Sequence, residues 1–301
     1  MVNFRFHLVS LTAVFLALGL GLVIGSTVVD RVTVETIERQ LDQVRGRADR
    51  VNDENEQLNA TLERTRQFGD QAARRLVEGR LREVPVLVLT VADGPEDRTV
   101  ELERALASAG ASFGGRLTLT ERWRLENGDD VTALAEVAGV TAVRPETVRQ
   151  AAMDVLASAV REGKPGQTLP EMAARGFLRY EGPASPAEIP LPGTRVLAVT
   201  DDQVAAPNDE VLLPLLEALV DAGVGVVATA PLEGEEAEVS AFIEAVRSGA
   251  LTNRVSTVDN LGVEGEAAAI LALQDLGSGR LGHYGLGEGV DAVLPAAARA
   301  E

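Results

Sequence analysis

Hydrophobic and polar positions along this chain change rhythm near residue 30 and again near residue 82. From Leu8 to Val29 the chain runs 22 residues without a charge, LVSLTAVFLALGLGLVIGSTVV. As an α-helix this run measures about 33 Å, enough for a hydrocarbon core of about 30 Å. A cleaved signal peptide has a shorter apolar core and a small-residue exit. Here a charged helical pattern begins at once with Asp30-Arg31, so the run is read as a retained transmembrane anchor. Ala17, Gly21 and Gly25 recur every four residues on one face, a spacing that lets two membrane helices approach closely. Arg5 precedes the span and Arg31 and Arg39 follow it, so nearby basic residues do not set orientation. Default insertion of a leading helix keeps the short N-terminal flank inside and places the rest of the chain outside the cytoplasm.

From residue 34 the rhythm becomes a heptad. Val34, Leu41, Ala48, Asn55 and Leu62 fall at a, and Ile37, Val44, Val51, Leu58 and Thr65 fall at d. The flanking positions are dense in Arg, Glu, Asp and Gln, as a solvated two-helix rod requires. A buried amide at one a position, here Asn55, is best satisfied by its twin in a parallel dimer. The other reading is a single amphipathic helix folded back on its own domain. Gly46 lies outside the seam, Gly69 interrupts it, and pairing is expected to loosen after about residue 65. A continuous helix over 34–76 would be about 63 Å long.

The third pattern alternates strands and helices. Val84 to Val91 (VPVLVLTV) is a β-branched apolar run of the kind buried on both sheet faces. Asp93-Gly94-Pro95 ends it, Glu96 to Ala109 reads as a helix stopped by Gly110, and Arg116 to Thr120 returns as a strand. The unit recurs: Arg195 to Thr200 is a strand ending at Asp201-Asp202, Asn208-Asp209 cap a helix to Ala222, and Val224 to Thr229 is a strand. A third strand over Arg254 to Val258 ends at Asp259 and leads to a helix from Glu264 to Leu276. Such alternation implies a mostly parallel sheet covered by helices. Residues 121–193 break it, with helical patterns over Val131–Ala138, Pro145–Arg161 and Leu169–Arg175 and a proline-rich connection from Gly182 to Gly193.

The expected architecture is therefore α/β: an N-terminal transmembrane helix and parallel coiled coil, then a mostly parallel, Rossmann-like domain with a helical insertion. Its boundaries are a flank at 1–7, the anchor at 8–29, the coil at 30–80, the α/β domain at 81–294 with the insertion at about 121–193, and a tail at 295–301.

Charge and composition narrow the chemistry. The net charge is −18, and residues 81–301 carry all of it, with 17 basic and 35 acidic side chains. A domain this acidic repels nucleic acid and anionic lipid, so no nucleic-acid partner is expected. Basic positions are 27 Arg and one Lys, Lys164, a bias of GC-rich coding. With no cysteine, a disulfide, a thiolate metal site and a cysteine nucleophile are all excluded. Only His7 and His283 carry imidazole, and the methionines are Met1, Met153 and Met172. Copper sites draw on thiolate, thioether and imidazole, so a copper cage within one subunit is not expected. Asp93, Asp201, Asp202 and Asp259 all follow strands, where α/β sheets bind ligands. They and His283 are the candidate metal-binding residues, although aspartate is also the ordinary turn and cap residue there. The glycine-rich segment Gly282 to Gly289 lacks the strand and helix that a dinucleotide loop needs. Its glycines are read as allowing close backbone packing. No catalytic constellation or cofactor is expected.

Two segments carry a family resemblance. Arg5 to Ser26 (RFHLVSLTAVFLALGLGLVIGS) is similar to the opening of the actinobacterial copper transporter family. Ser256 to Gly287, with STVDN, ILALQDL and GHYGLG, resembles its C-terminal segment. The order of anchor, coil and α/β domain agrees over nearly the full length. The resemblance implies a role in copper efflux or homeostasis at the cell envelope of a high-GC Gram-positive bacterium, and it supplies no ligand set to place on these residues. Related proteins are also linked to septal envelope assembly through coiled-coil partners. The alternative function is therefore a non-enzymatic envelope or cell-division scaffold that recruits a membrane partner.

Overall fold

A computed structural model of the chain describes residues 4–141, 144–163, 167–183, 191–202, 208–232 and 238–296, with the side chains of 26–39 outside that description. The expected seam residues Val34 and Ile37 therefore lie outside the described side chains, as does 184–190 of the proline-rich connection and 297–301 of the tail. Two compact units divide at Gln67/Phe68.

Helix α1 runs Phe4–Val77, and its stretch Phe4–Gly25 has mean hydropathy 2.4 with none of it buried. Among the described residues it is the one helix long and apolar enough to cross a bilayer. Ala17 is exposed, and an added Cβ at Gly21 or Gly25 would meet nothing within 4 Å. Leu41, Val44, Val51, Leu58 and Leu62 are all exposed large apolar side chains, and Asn55 is exposed among them.

The second unit starts earlier than the sequence pattern suggests, inside α1. Val77 and Leu81 are buried, and Ala73 and Leu76 pack against the same core. Ala73, Leu76 and Val77 stand three and four apart on one helix face, and Leu81 follows in the turn after α1. The end of the helix thus belongs to the α/β unit, because its apolar stripe turns from the a/d positions to Ala73 and Val77.

The sheet has seven strands: β1 (Pro85–Val91), β2 (Ser112–Leu119), β3 (Leu178–Glu181), β4 (Arg195–Val199), β5 (Val226–Thr229), β6 (Ser256–Val258) and β7 (His283–Tyr284). Their order is β3-β2-β1-β4-β5-β6-β7. All neighbours are parallel except β2 and β3. The chain begins at the centre, moves out through β2 and β3, returns to the other side of β1 and moves out again, so strand order reverses between β1 and β4. Gly114 and Gly115 make a bulge in β2 opposite Leu87. Gly115 takes φ +99 there, and any Cβ would overlap Tyr180, whose hydroxyl donates to the Gly114 carbonyl at 3.1 Å.

Helices cover both faces. Val86, Val88, Leu197, Val199 and Val227 point to one core, shared with α2 (Glu96–Ser108) and α8 (Val263–Leu276). Leu87, Leu89, Val196, Ala198 and Val226 point to the other, under α3 (Gly128–Ala138), α4 (Pro145–Glu162), α5 (Thr168–Ala174), α6 (Leu213–Asp221) and α7 (Ala241–Ser248). A strand buried on both faces needs apolar residues at consecutive positions, which is why β1 reads as an unbroken apolar run.

Several local expectations need correction. Residues 121–193 are not only helical, since β3 pairs antiparallel with β2 at the sheet edge. Its sequence LRYE is short and half charged because one side faces solvent. Asn208 does not cap a helix but opens a π-helical turn, Asn208–Leu212, that leads into α6. His283 and Tyr284 extend the sheet as β7, and α7 was not anticipated.

Candidate functional site

The carboxyl ends of the strands carry the four aspartates singled out above, and each does something different. Asp93 is exposed and holds φ +64 in the turn after β1, a conformation that aspartate tolerates better than most residues. Asp201 offers its carbonyl to Asn208 Nδ2 at 2.7 Å and to the Thr200 hydroxyl at 3.2 Å. Asp202 reaches across to α7, where its carboxylate accepts from Ser240 Oγ at 2.8 Å, Ala241 N at 2.7 Å and Phe242 N at 3.3 Å. It is a helix cap supplied from 38 residues away in sequence, satisfying the orphan N–H groups of the first turn. Among the described residues, no three carboxylate or imidazole side chains gather closely enough to hold a metal ion.

Asp259 is sealed from solvent at 0% exposure. Its carboxylate accepts from Arg247 at 3.0 Å, from Leu286 N at 2.8 Å and from Gly287 N at 3.2 Å. Arg247 also donates to Thr257 Oγ1 at 2.9 Å, the Glu288 carbonyl at 2.8 Å and the Tyr284 carbonyl at 3.3 Å. A Cβ at Gly285 or Gly287 would overlap this carboxylate, so the glycines allow the segment to wrap around it. His283 closes the network, with Nδ1 2.9 Å from Thr257 Oγ1 and its backbone N–H donating to Asp291 at 2.8 Å. Burial, aided by Arg247, holds the imidazole below its usual range. Thr257, whose hydroxyl meets this imidazole, is fully buried. This constellation fastens the C-terminal segment to β6.

A second ion group lies on the α2 side of β2. Arg116, 9% exposed in its side chain, meets Glu96 at 2.7 Å, Glu103 at 3.4 Å and Glu181 at 2.5 Å. Burial raises the Glu103 carboxyl, against the pull of Arg116. The group joins α2, β2 and β3.

A cleft of about 260 Å³ opens where the end of α1 meets α2 and α8. Ala73 and Val77 of α1, Ala105 of α2, and Val263 and Ala267 of α8 supply its apolar lining. Asp70, Arg74, Glu101, Arg104 and Glu266 ring it with charge. Glu266 is half-buried. Burial pushes its carboxyl up to about 7; Glu101 and Asp70 push the same way, against Arg98 and Arg74. Sequence reasoning missed this cleft. The available signal was a glutamate just inside the apolar helix EGEAAAILAL, where a solvated face would not be expected.

The described molecule is thus a mixed α/β protein with a mostly parallel sheet and an N-terminal apolar helix of membrane-spanning length, in which the carboxylates of Asp202 and Asp259 serve a helix cap and a clasp. It belongs to the family described as copper transport outer membrane protein, MctB, which it matches over residues 1–295. Copper transporter MctB of Mycobacterium tuberculosis (strain ATCC 25618 / H37Rv) is 25% identical over 331 residues, covering 97% of this chain and 99% of the relative. The protein of that name from Mycobacterium leprae (strain TN) is 25% identical over 320 residues with the same coverage.

Proposed function

We propose that this chain is a single-pass cell-membrane protein whose α/β domain lies outside the cytoplasm and that it serves copper efflux or homeostasis at the cell envelope. The family match over residues 1–295, joined to the apolar span Phe4–Gly25, is the observation that carries this reading. The proposed limits are the anchor at 8–29, a coil from 30 to about 67, where the second compact unit begins, and a Rossmann-like α/β domain from there to 294. The reversal of strand order between β1 and β4 supports the Rossmann-like description.

Copies pair as a parallel coiled coil through Val34, Ile37, Leu41, Val44, Val51, Asn55, Leu58 and Leu62, assisted in the bilayer by Ala17, Gly21 and Gly25. Anchors sharing one bilayer and one orientation require parallel rods. In that register the flanking neighbours are Gln40 with Arg45, Arg47 with Asn52, Glu54 with Asn59 and Thr61 with Arg66, and none repels by like charge. One spanning helix per subunit, the number among the described residues, encloses no path for an ion, so the chain acts as one component of an assembly.

A second reading has a specific observation behind it. The exposed apolar stripe from Leu41 to Leu62 suits a scaffold that recruits a membrane partner. Deleting the gene and challenging with copper tests both. Copper hypersensitivity and accumulation, restored by the full chain but not by one lacking residues 8–29, is the expected result. Normal copper tolerance with chained cells or misplaced septa would replace the first reading with the second.

A further inference from the structure

The cleft beside the end of α1 has three properties that belong together. Its floor is made of small side chains, Ala73, Ala105 and Ala267, so the helices meet there across open space. An ionisable group, Glu266, stands in that space on α8, a helix otherwise buried along most of its length. The seat of α1 is also narrow: Ala73, Leu76 and Val77 are its apolar contacts with this core, and Arg74 Nε donates within its own helix, to the Asp70 carbonyl at 3.3 Å. The charged groups around Glu266 are Asp70 and Arg74 from α1 and Glu101, Arg98 and Arg104 from α2. Arg98 is already paired with Glu101 at 2.9 Å. Among the described residues no hydrogen bond or ion pair joins the Glu266 carboxyl to a cation, while Glu101 and Asp70 oppose its ionisation.

The geometry points to a proton-controlled latch in which neutral Glu266 lets the last turns of α1 seat on α2 and α8, and ionised Glu266 loosens that seat. The direction follows from linkage. With α1 lifted away, Glu266 gains water and loses the opposing Asp70 charge, so it ionises below the value of about 7 that it has with α1 seated. Between the two values the open form loses its proton first, so seating weakens as pH rises toward about 7 and is constant above. Water reaching the half-exposed carboxyl reduces the effect, and a change of about tenfold in the seating equilibrium is expected between the two ends of that window. The latch does not depend on the copper reading: it would act on any signal passing along α1 into the domain.

The absence of cysteine makes a clean test available. Ala72 on α1 and Ala107 on α2 are both exposed, and Ala72→Cys with Ala107→Cys places one spin label on each side of the cleft. The doubly labelled full chain, in detergent micelles and diluted with unlabelled chain to suppress distances between copies, is measured by pulsed dipolar spectroscopy from about pH 5 to about pH 8. The expected distance distribution is narrow at the acidic end and gains a longer component at the basic end. Glu266→Gln should keep it narrow throughout. Glu101→Gln removes a like charge and should move the midpoint to lower pH, which keeps the test open if the glutamine at 266 impairs folding. A wild-type distribution that does not change with pH, a Glu266→Gln chain with the same transition, or an unmoved midpoint in Glu101→Gln would each overturn the latch.

Discussion

Asp259 and Arg247 lie 3.0 Å apart at 0% and 8% side-chain exposure, and between them they gather the chain's glycine-rich C-terminal segment onto β6. The aspartate receives two backbone N–H groups of that segment, and the arginine donates to two of its carbonyls. A buried pair satisfied on every side holds its shape, whereas half of it left alone is costly. Asp259→Ala strands the guanidinium and the N–H groups of Leu286 and Gly287. We expect a loss of about 3–5 kcal/mol in unfolding free energy. The chain's single tryptophan, Trp123, is fully buried and donates to the Phe177 carbonyl at 2.9 Å, so its fluorescence reports the urea transition. An unchanged midpoint would show that the clasp contributes nothing.

Asp202 makes a smaller contribution. Asp202→Ala removes the acceptor for the first turn of α7, and about 1–2 kcal/mol should be lost, in the range of other capping residues. Asparagine keeps an acceptor oxygen at the same place, so Asp202→Asn should recover most of the loss. Thermal unfolding of the three chains side by side decides whether the residue acts as a cap, and equal melting points would reject that role.

Glycines at two positions should respond in opposite directions to alanine. A Cβ at Gly265 would overlap the Asn260 carbonyl, forcing α8 away from the loop after β6, and about 1–3 kcal/mol of destabilisation is expected. Gly46 stands on α1 with nothing within 4 Å of an added Cβ, and Gly46→Ala should strengthen that helix by about 1 kcal/mol. Circular dichroism melts of both variants separate close packing from simple helix propensity.

The pairing of copies through α1 makes its own prediction. Leu58 is 66% exposed in the single chain, and Leu58→Glu would put two like charges into a seam layer. Sedimentation in detergent should find the wild type dimeric and the variant shifted toward monomer. Asn55→Leu should tighten association but admit other stoichiometries, because the amide enforces register at some expense in stability. Wild-type chain sedimenting as a monomer would remove the coil from the proposal.

The last turns of α1 limit how far such pairing extends. Gly69 and Leu76 fall at a positions of the heptad, yet Leu76 packs against the core of its own chain together with Ala73 and Val77. A partner helix following the seam would compete for that face beyond about residue 68. The sequence pattern alone suggested a gradual loosening after residue 65, and the α/β core supplies a physical stop.

What the residues determined by themselves was whatever depends on short-range periodicity. The apolar span, the helix that continues from it, the strand VPVLVLTV, and the ends of α2 and α8 could all be read because each is set by neighbours within a few positions. The edge strands β3 and β7 escaped because they are two to four residues long and exist only through pairing with β2 and β6. The aspartates after the strands were legible as strand-end residues, but their roles were not. Asp202 works on a helix 38 residues ahead, and Asp259 on a segment 27 and 28 residues ahead. Glu266 shows the same limit most sharply. Its helix was readable from spacing, but the upward push on its carboxyl comes first from burial and then from Glu101 and Asp70, all of which only tertiary packing brings about.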